Sequence, residues 1–321
     1  MVNPIMIEAT RGRQVESVHR GRAVVVDALG HIIRSWGDIY EPVFARSALK
    51  PIQALPLIEQ GAAEAYHLSP EEITLACASH HGEERHVRVL EAWLKKIGKD
   101  ERILDCGVHR PLYTCFLKTP QKFHEKSSVL QNACSGKHLG MLTTALHRNE
   151  PLEGYLSREH PVQKRIEHVL TEMTNIDAAL APHGTDGCGI PALALPLFNI
   201  ALAMARFADP SLLHYPRQKA IHSILAAILQ YPELIAGENA FDTKIIKATL
   251  GSVICKGGAS GFQIGIIPSL GLGIALKIDD GNLKAAELAF LAVLRSLGSI
   301  DDELYEKLEP LFPLPLIKEK L

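Results

Sequence analysis

Hydrophobic residues near the start of the chain occur in short runs that are typical of β-strands. Three such runs lie at 15–19, 23–27 and 32–36. Arg20-Gly21 separates the first two runs and Leu29-Gly30 precedes the third, and both pairs are typical of tight turns. The pattern predicts a meander of short antiparallel strands.

From Ser47 onward the spacing of hydrophobic residues becomes that of a helix. Apolar residues recur every three positions, at Leu49, Ile52, Leu55 and Ile58. This predicts a helix that starts near Ser47, tolerates Pro51 in its first turn, and bends or ends at Pro56. Further helical patterns lie at 83–97, from Pro161 onward, at 193–208 and at 216–229.

The C-terminal part of the chain returns to strand-like segments. Residues 261–267 and 272–278 flank a Pro-Ser-Leu-Gly turn at 268–271 and predict a hairpin. The segment 283–297 is apolar on nearly all sides and predicts a buried helix.

Strands at both ends and helices between them determine the predicted fold class. It is α/β (α+β), with an antiparallel sheet from both termini packed against helices and a mostly helical middle region. We expect a single domain over 1–321, with the sheet from about 1–46 and 250–321 and the helical region at about 47–249.

Composition and charge favour a small-molecule partner. The chain has 321 residues, and 34 Lys plus Arg stand against 36 Asp plus Glu. The net charge of −2 gives no electrostatic basis for binding nucleic acid or an anionic membrane.

Residues 1–10 include Pro4 and Glu8 and lack the pattern of a signal peptide. Prolines interrupt the apolar stretch 190–205, which therefore predicts a buried helix and not a membrane span. We therefore expect a cytoplasmic protein.

The sequence Ser47-Ala-Leu-Lys50 is an S-x-x-K motif at the predicted helix start. Residues i and i+3 share a helix face, so a buried lysine there could take the proton of the serine hydroxyl. Chance alone gives about one such motif in a chain this long, and a capping serine followed by a solvated lysine is the alternative.

Two later segments support the catalytic interpretation of that motif. Serine acyl-transfer enzymes of the β-lactamase and penicillin-binding type combine S-x-x-K with a second S-x-N-like and a third K-T-G-like motif. Here Ser79-His-His follows the apolar stretch 73–78, and Lys256-Gly-Gly precedes the C-terminal hairpin. Their order agrees with a serine β-lactamase/penicillin-binding-protein-like fold, although neither is a perfect match.

Segments 132–138 and 183–189 are rich in glycine and polar residues, and each contains a cysteine. Spacing alone favours a metal site made by Cys134, His138 and Cys188, with His183 as a further candidate. Buried free thiols are the alternative, and this is the interpretation for Cys77, Cys106, Cys115 and Cys255. His86, His160 and His168 lie in charged helical contexts and are predicted to be solvated.

Five segments together resemble the L-asparaginase II family of the thermolabile Rhizobium etli type. They occur in the family's order, and the chain length fits from end to end. The segments are Arg46-Ser-Ala-Leu-Lys-Pro-Ile-Gln-Ala-Leu55, Ala76-Cys-Ala-Ser-His-His-Gly-Glu83, Asn132-Ala-Cys-Ser-Gly-Lys-His138, Asp186-Gly-Cys-Gly-Ile-Pro191 and Lys256-Gly-Gly-Ala259.

This resemblance implies a serine β-lactamase-like fold and hydrolysis of L-asparagine to aspartate and ammonia. By the same resemblance, Ser47 is the nucleophile with Lys50 as its base, and Ser79 is a second catalytic serine paired with Lys256. Ser260 departs from the family pattern, which usually has a glutamate at that position.

The resemblance also implies a zinc cofactor and places its ligands. They are Cys134, Lys137 and Cys188, which replaces His138 of the spacing-based choice with a lysine that must lose its proton to bind.

A zwitterionic substrate needs a cation for its carboxylate and an anion for its ammonium group. Within the motifs, Arg46, His80 and Asp186 are the substrate-binding candidates. The competing interpretations are a β-lactamase or esterase on the same scaffold and a zinc-stabilised binding protein without activity. Base rates for soluble enzymes favour a homodimer.

Overall fold

The computed structural model describes residues 2–109, 128–311 and 317–319. Its strands are β1 (Ile5–Arg11), β2 (Gln14–Asp27), β3 (Ile32–Trp36), β4 (Pro42–Phe44), β5 (His183–Thr185), β6 (Pro191–Pro196), β7 (Ile254–Gly258), β8 (Phe262–Ile267), β9 (Leu272–Ile278) and β10 (Ile317–Glu319). Its α-helices are α1 (Lys50–Gln53), α2 (Leu55–Glu59), α3 (Ala62–Ala65), α4 (Pro70–Cys77), α5 (Glu84–Lys96), α6 (Ser135–His147), α7 (Pro161–Thr174), α8 (Leu197–Ala208), α9 (Tyr215–Gln230), α10 (Phe241–Ala248), α11 (Leu283–Ser296) and α12 (Asp302–Leu308).

The described residues form two compact units, each assembled from segments that are distant in sequence. The first unit consists of residues 1–48, 194–213 and 244–321, and the second of 49–193 and 214–243. The single domain expected from the sequence stays a prediction.

The first unit contains an antiparallel sheet with the order β10-β1-β2-β9-β8-β7, and β3 pairs with β2 as well. The long strand β2 makes this possible, because its first part pairs with β1 and its last part with both β3 and β9. The prediction of an antiparallel sheet built from both termini, with a mostly helical middle region, is confirmed.

Two helices cover opposite faces of this sheet. A Cβ added to Gly273 would lie 2.2 Å from the Ala201 carbonyl oxygen of α8, and one added to Gly265 would lie 2.7 Å from Phe290 of α11. Gly265 pairs with Ile274, the neighbour of Gly273. Because successive residues of a strand face opposite sides, α8 and α11 lie on different faces.

The predicted turn at Arg20-Gly21 is wrong, because both residues continue the strand β2. A Cβ at Gly21 would lie 2.6 Å from the Lys277 carbonyl oxygen. This glycine therefore serves the close approach of β9 rather than a turn. The first hairpin turns instead at Gly12, whose φ is 62°.

The helix predicted at 193–208 also begins differently. Residues Pro191–Pro196 form β6, and the helix starts only at Leu197. Two prolines at the ends of this stretch suit a short strand better than a helix interior. The other predicted helices agree with α5, α7, α9 and α11. The helix expected to bend or end at Pro56 breaks two residues earlier, at Ala54, and Pro56 lies in the first turn of α2.

The second unit is mostly helical, and α6 lies at its centre. The eleven residues from Ser135 to Ala145 are all buried. Trp93 of α5 donates to Thr143 Oγ1 at 3.0 Å, and the buried Arg217 of α9 pairs with Glu59 and Glu172. Within the part of the chain that the structure describes, no helix has the length and apolar character needed to cross a membrane.

Candidate active site

The first serine motif lies at a sharp change of backbone direction in the first unit. Strand β4 ends at Phe44, and a 3-10 helix spans Arg46–Leu49. Arg46 has a φ of 50°, in the left-handed region that costs a non-glycine residue conformational energy. Ser47 follows it and is half-buried. Strain of this kind is typical of functional sites.

The third motif lies directly against the backbone next to Ser47. Gly258 at the end of β7 approaches so closely that an added Cβ would lie 2.4 Å from the Ala45 carbonyl oxygen and 3.4 Å from Ala48. Lys256, on the same strand, is 2% exposed and donates from Nζ to the Gly257 carbonyl at 2.8 Å. The structure therefore brings the Lys256 motif and the Ser47 segment together. Ser260 lies in the exposed turn after β7.

In the second unit Lys50 begins α1 and is fully buried. Its ammonium group donates to Ser79 Oγ at 3.0 Å and to the carbonyl oxygens of Ala78 at 2.6 Å and Ala133 at 3.1 Å. Burial lowers the pKa of Lys50 below 10.5, although the negative charge of the Cys134 thiolate acts in the opposite direction. A lysine in this state can exchange a proton with a hydroxyl.

Ser79 lies just beyond the C-terminus of α4 and is half-buried. Its backbone N–H donates to the Ile235 carbonyl at 2.9 Å, and that of His81 donates to the Ala236 carbonyl at 2.6 Å. These two bonds fix the loop that presents the serine hydroxyl to Lys50. The sequence paired Lys50 with Ser47, whereas the serine to which the structure shows Lys50 Nζ donating is Ser79.

Cys134, Lys137 and Cys188 come together in the second unit from two distant segments. Cys134 precedes α6, Lys137 lies in its first turn, and Cys188 lies in the loop between β5 and β6. Lys137 Nζ donates to Cys188 Sγ at 3.2 Å, and Lys137 is 3% exposed while Cys188 is 5% exposed. The two thiols also share a hydrogen bond.

The electrostatics of this cluster favour one thiolate beside two lysines. The hydrogen bond from Cys188 lowers the pKa of Cys134 to about 3, and the charges of Lys50 and Lys137 act in the same direction. The same hydrogen bond, together with burial, raises the pKa of Cys188. Burial alone would lower the pKa of Lys137, but its electrostatic and hydrogen-bond interactions with Cys134, Cys188 and Asp186 outweigh burial and raise that pKa.

This donor set fits zinc, which prefers sulfur and accepts nitrogen. Two cysteine sulfurs and one lysine nitrogen already converge, and the lysine would have to give up its proton to the solvent on binding. Among the described residues, no three His, Cys, Asp or Glu side chains form a group that could hold a metal ion. A site at this place therefore needs the lysine.

The histidines favoured by spacing have other partners. The Tyr155 hydroxyl accepts from the Asp105 backbone N–H at 2.9 Å and lies 2.7 Å from His138 Nδ1, at hydrogen-bond distance. His183 is exposed and bonds Arg158.

The three substrate-binding candidates differ in their surroundings. Asp186 is half-buried, and its Oδ1 accepts from the Gly187 N–H at 2.8 Å. Arg46 is half-buried beside Ser47. His80 is fully buried, and its ring nitrogens lie at hydrogen-bond distance from Ser135 Oγ and the Gly82 N–H.

Several buried residues near the site were misjudged or missed in the sequence. His86 and His160 were predicted to be solvated, but both are buried, and each satisfies a backbone N–H at a helix start. Their positions in the sequence indicate this capping role, because His160 directly precedes Pro161 and His86 lies three residues after the capping Glu83. His168 is exposed as predicted. Ser135 was missed altogether.

The remaining cysteines agree with the prediction of core thiols where the structure describes them. Cys77, Cys106 and Cys255 are buried and form no disulfide. Cys115 lies outside the described residues.

Comparison with known proteins identifies one family model, described as L-asparaginase II, which matches residues 7–320. No curated protein matches the chain.

Two solved structures are among those to which this chain is similar. A β-lactamase from Mycobacterium bovis is 12% identical, with a TM-score of 0.46 over 86% of this chain and 94% of that chain. The native form of a protein named Mglu is 13% identical, with a TM-score of 0.48 over 94% of this chain and 70% of that chain.

Proposed function

The chain belongs to the L-asparaginase II family, an assignment that implies an asparaginase, and we propose on this basis that it hydrolyses L-asparagine through a serine acyl-enzyme. The observation that carries this proposal is the position of Lys50. It is three residues from Ser47 in the chain, fully buried, and hydrogen-bonded to Ser79 Oγ at 3.0 Å. The same lysine of lowered pKa thus belongs to the first serine motif and contacts the second candidate serine.

In the acylation step, Lys50 in its neutral form takes the proton of Ser47 Oγ. The oxygen attacks the side-chain amide carbon of asparagine, and the carbonyl electrons move to oxygen. Backbone N–H groups near Ser47 and Gly258 are suited to stabilise that oxyanion. When the C–N bond breaks, the leaving nitrogen receives a proton from Lys50 by way of Ser79 and departs as ammonia.

In the deacylation step, water attacks the β-aspartyl ester. Lys50 accepts the proton of that water, and Ser47 Oγ regains a proton as the ester bond breaks, which gives aspartate and the original enzyme. Lys256 supports the same proton path from β7. We assign Arg46 to the α-carboxylate of the substrate and Asp186 to its ammonium group.

We further propose that Cys134, Lys137 and Cys188 hold a zinc ion. With three protein ligands, such an ion would keep one open position for water or substrate. Bound zinc would supply positive charge that attracts and orients the substrate. The serine–lysine proton path does not pass through the ion. Metal removal should therefore raise the KM for asparagine and have only a small effect on folding stability. The homodimeric state and the cytoplasmic location stay predictions.

The nucleophile is tested by Ser47→Ala, with Ser296→Ala as the matched control. Ser296 lies at the end of α11, where its hydroxyl bonds the Val293 carbonyl at 2.8 Å. We expect Ser47→Ala to abolish ammonia release from asparagine at a cost of only about 1 kcal/mol in folding stability, which is typical of a single substitution, and Ser296→Ala to retain it.

The substrate class is tested by the same assay with asparagine, glutamine and a chromogenic β-lactam. Hydrolysis of the β-lactam in place of asparagine would support the β-lactamase interpretation instead. Near-normal turnover of asparagine by Ser47→Ala would remove this serine from the mechanism.

A further inference from the structure

The ring of His80 has only one proton arrangement that satisfies both of its neighbours. The backbone N–H of Gly82 lies 3.2 Å from Nδ1 and can only donate, so Nδ1 accepts. In a neutral imidazole the proton is then on Nε2, 2.9 Å from Ser135 Oγ. Ser135 in turn donates to the Leu130 carbonyl at 2.9 Å. His80 is therefore the donor in a directed chain of hydrogen bonds.

The surroundings of His80 hold its ring in this orientation. The side chain is fully buried, and its ring stacks on that of His86 with centroids 5.0 Å apart and an angle of 21°. His86 is itself fixed, since it accepts from the Glu83 N–H at 3.0 Å and lies 3.4 Å from the Glu233 carbonyl. Burial, and then the charge of His86, lowers the pKa of His80 well below 6.5.

The bond to Ser135 joins two segments that carry candidate active-site groups. His80 directly follows Ser79, in a loop whose backbone is fixed on the segment at 235–236. Ser135 is the first residue of α6, next to Cys134 and two residues before Lys137. This side-chain bond therefore helps to hold the start of α6 against the Ser79 loop.

We propose that His80 is a positioning residue rather than a substrate-binding one: its Nε2–H, acting through Ser135, holds Cys134 and Lys137 in place relative to Ser79. The importance of this positioning for catalysis rests on the proposed function. The position of Cys134 is measurable without zinc or substrate, because the reactivity of its thiol depends on its surroundings.

The test compares two conservative variants of His80, each of which places an amide group near the position of one of the two ring nitrogens. Glutamine places an amide N–H near the position of Nε2 and can still donate to Ser135, whereas asparagine reaches only the position of Nδ1. The rate of Cys134 alkylation by iodoacetamide is measured in chelator-treated protein by peptide mass spectrometry. We expect at least a roughly fivefold rise in His80→Asn and Ser135→Ala, the effect of losing one buried hydrogen bond, and less than about a twofold change in His80→Gln.

Two controls separate positioning from a general loss of structure. His160 has the same arrangement elsewhere in this unit, with Nδ1 at 3.2 Å from the Val162 N–H and Nε2 at 2.8 Å from the Pro151 carbonyl. His160→Asn should leave Cys134 reactivity unchanged. The fully buried Cys77 reports general unfolding in every variant.

Equal rates in the glutamine and asparagine variants would overturn the proposal, as would a parallel rise at Cys77. Adding His80→Asn to Ser135→Ala should raise the rate no further, because both changes remove the same bond; an additive rise would also overturn it. A wild-type chain that releases no ammonia would refute the proposed function, and the alkylation contrast would still decide the role of His80.

Discussion

Gly136 offers a sharp test of how tightly the start of α6 is packed. An added Cβ would lie 2.2 Å from the Leu75 carbonyl oxygen and 2.7 Å from the Leu75 carbonyl carbon of α4. Both are backbone atoms, so no side-chain rotation can relieve the contact. Gly136→Ala must therefore push α6 away from α4.

The size of the effect follows from these distances. Cβ atoms essentially never approach other heavy atoms closer than 3.0 Å, so the 2.2 Å contact is too short by about 0.8 Å. Overpacking of this kind costs about 1–3 kcal/mol, and the better helix propensity of alanine offsets about 1 kcal/mol. We expect a net loss of up to about 2 kcal/mol in the free energy of unfolding. The shift also displaces Cys134 and Lys137, and a misplacement of about 1 Å can lower a rate about 100-fold.

Gly140→Ala is the matched control, one turn later on the same helix. There an added Cβ would make ordinary contacts of 3.5 Å with Ala76 and 3.6 Å with Leu57. We expect this variant to be as stable as wild type or up to about 1 kcal/mol more stable. Urea denaturation gives the two stabilities, and ammonia release gives the rates. If Gly136→Ala matches Gly140→Ala in both measurements, the packing described for α4 and α6 is refuted.

Three further predictions follow from the titratable groups. Burial lowers the pKa of Lys50 and the lysine must be neutral to act as a base, so ammonia release should rise with pH at values below 10.5; a flat profile between roughly pH 6 and 9 would contradict a lysine base. Burial lowers the pKa of His86 from 6.5 to about 4, so the unfolded chain takes up this proton first as the pH falls. The free energy of unfolding should be highest above pH 6.5 and fall towards pH 4, and His86→Phe should flatten part of that decline in denaturation curves. Elemental analysis should find less than about a tenth of an equivalent of zinc in Cys134→Ala and an undiminished content in Cys255→Ala; equal contents would exclude Cys134 as a ligand.

The regular elements could be predicted from the sequence because their patterns are local. The apolar face of α5, the proline that starts α7, and the hairpin of β8 and β9 depend on residues within one element. The order of strands and helices was sufficient for the antiparallel sheet and the helical middle region. The predictions failed where contact with a distant part of the chain determines the local structure. Gly21 is an example, because its close neighbour Lys277 is far away in sequence.

The chemistry of the candidate site divides in the same way. The sequence alone determined which residue types were present and in what order, and Ser47, Lys50, Ser79 and Cys134 all came from motifs of a few residues. Only the tertiary structure decided the partners. It placed Lys50 on Ser79 Oγ, Lys137 on Cys188, and His80 between Gly82 and Ser135. A motif fixes neighbours within about one turn of helix, whereas burial and hydrogen bonds join residues that are 29 or 55 positions apart. Those long-range contacts set the pKa of each group, and so decide which of the candidates can exchange a proton.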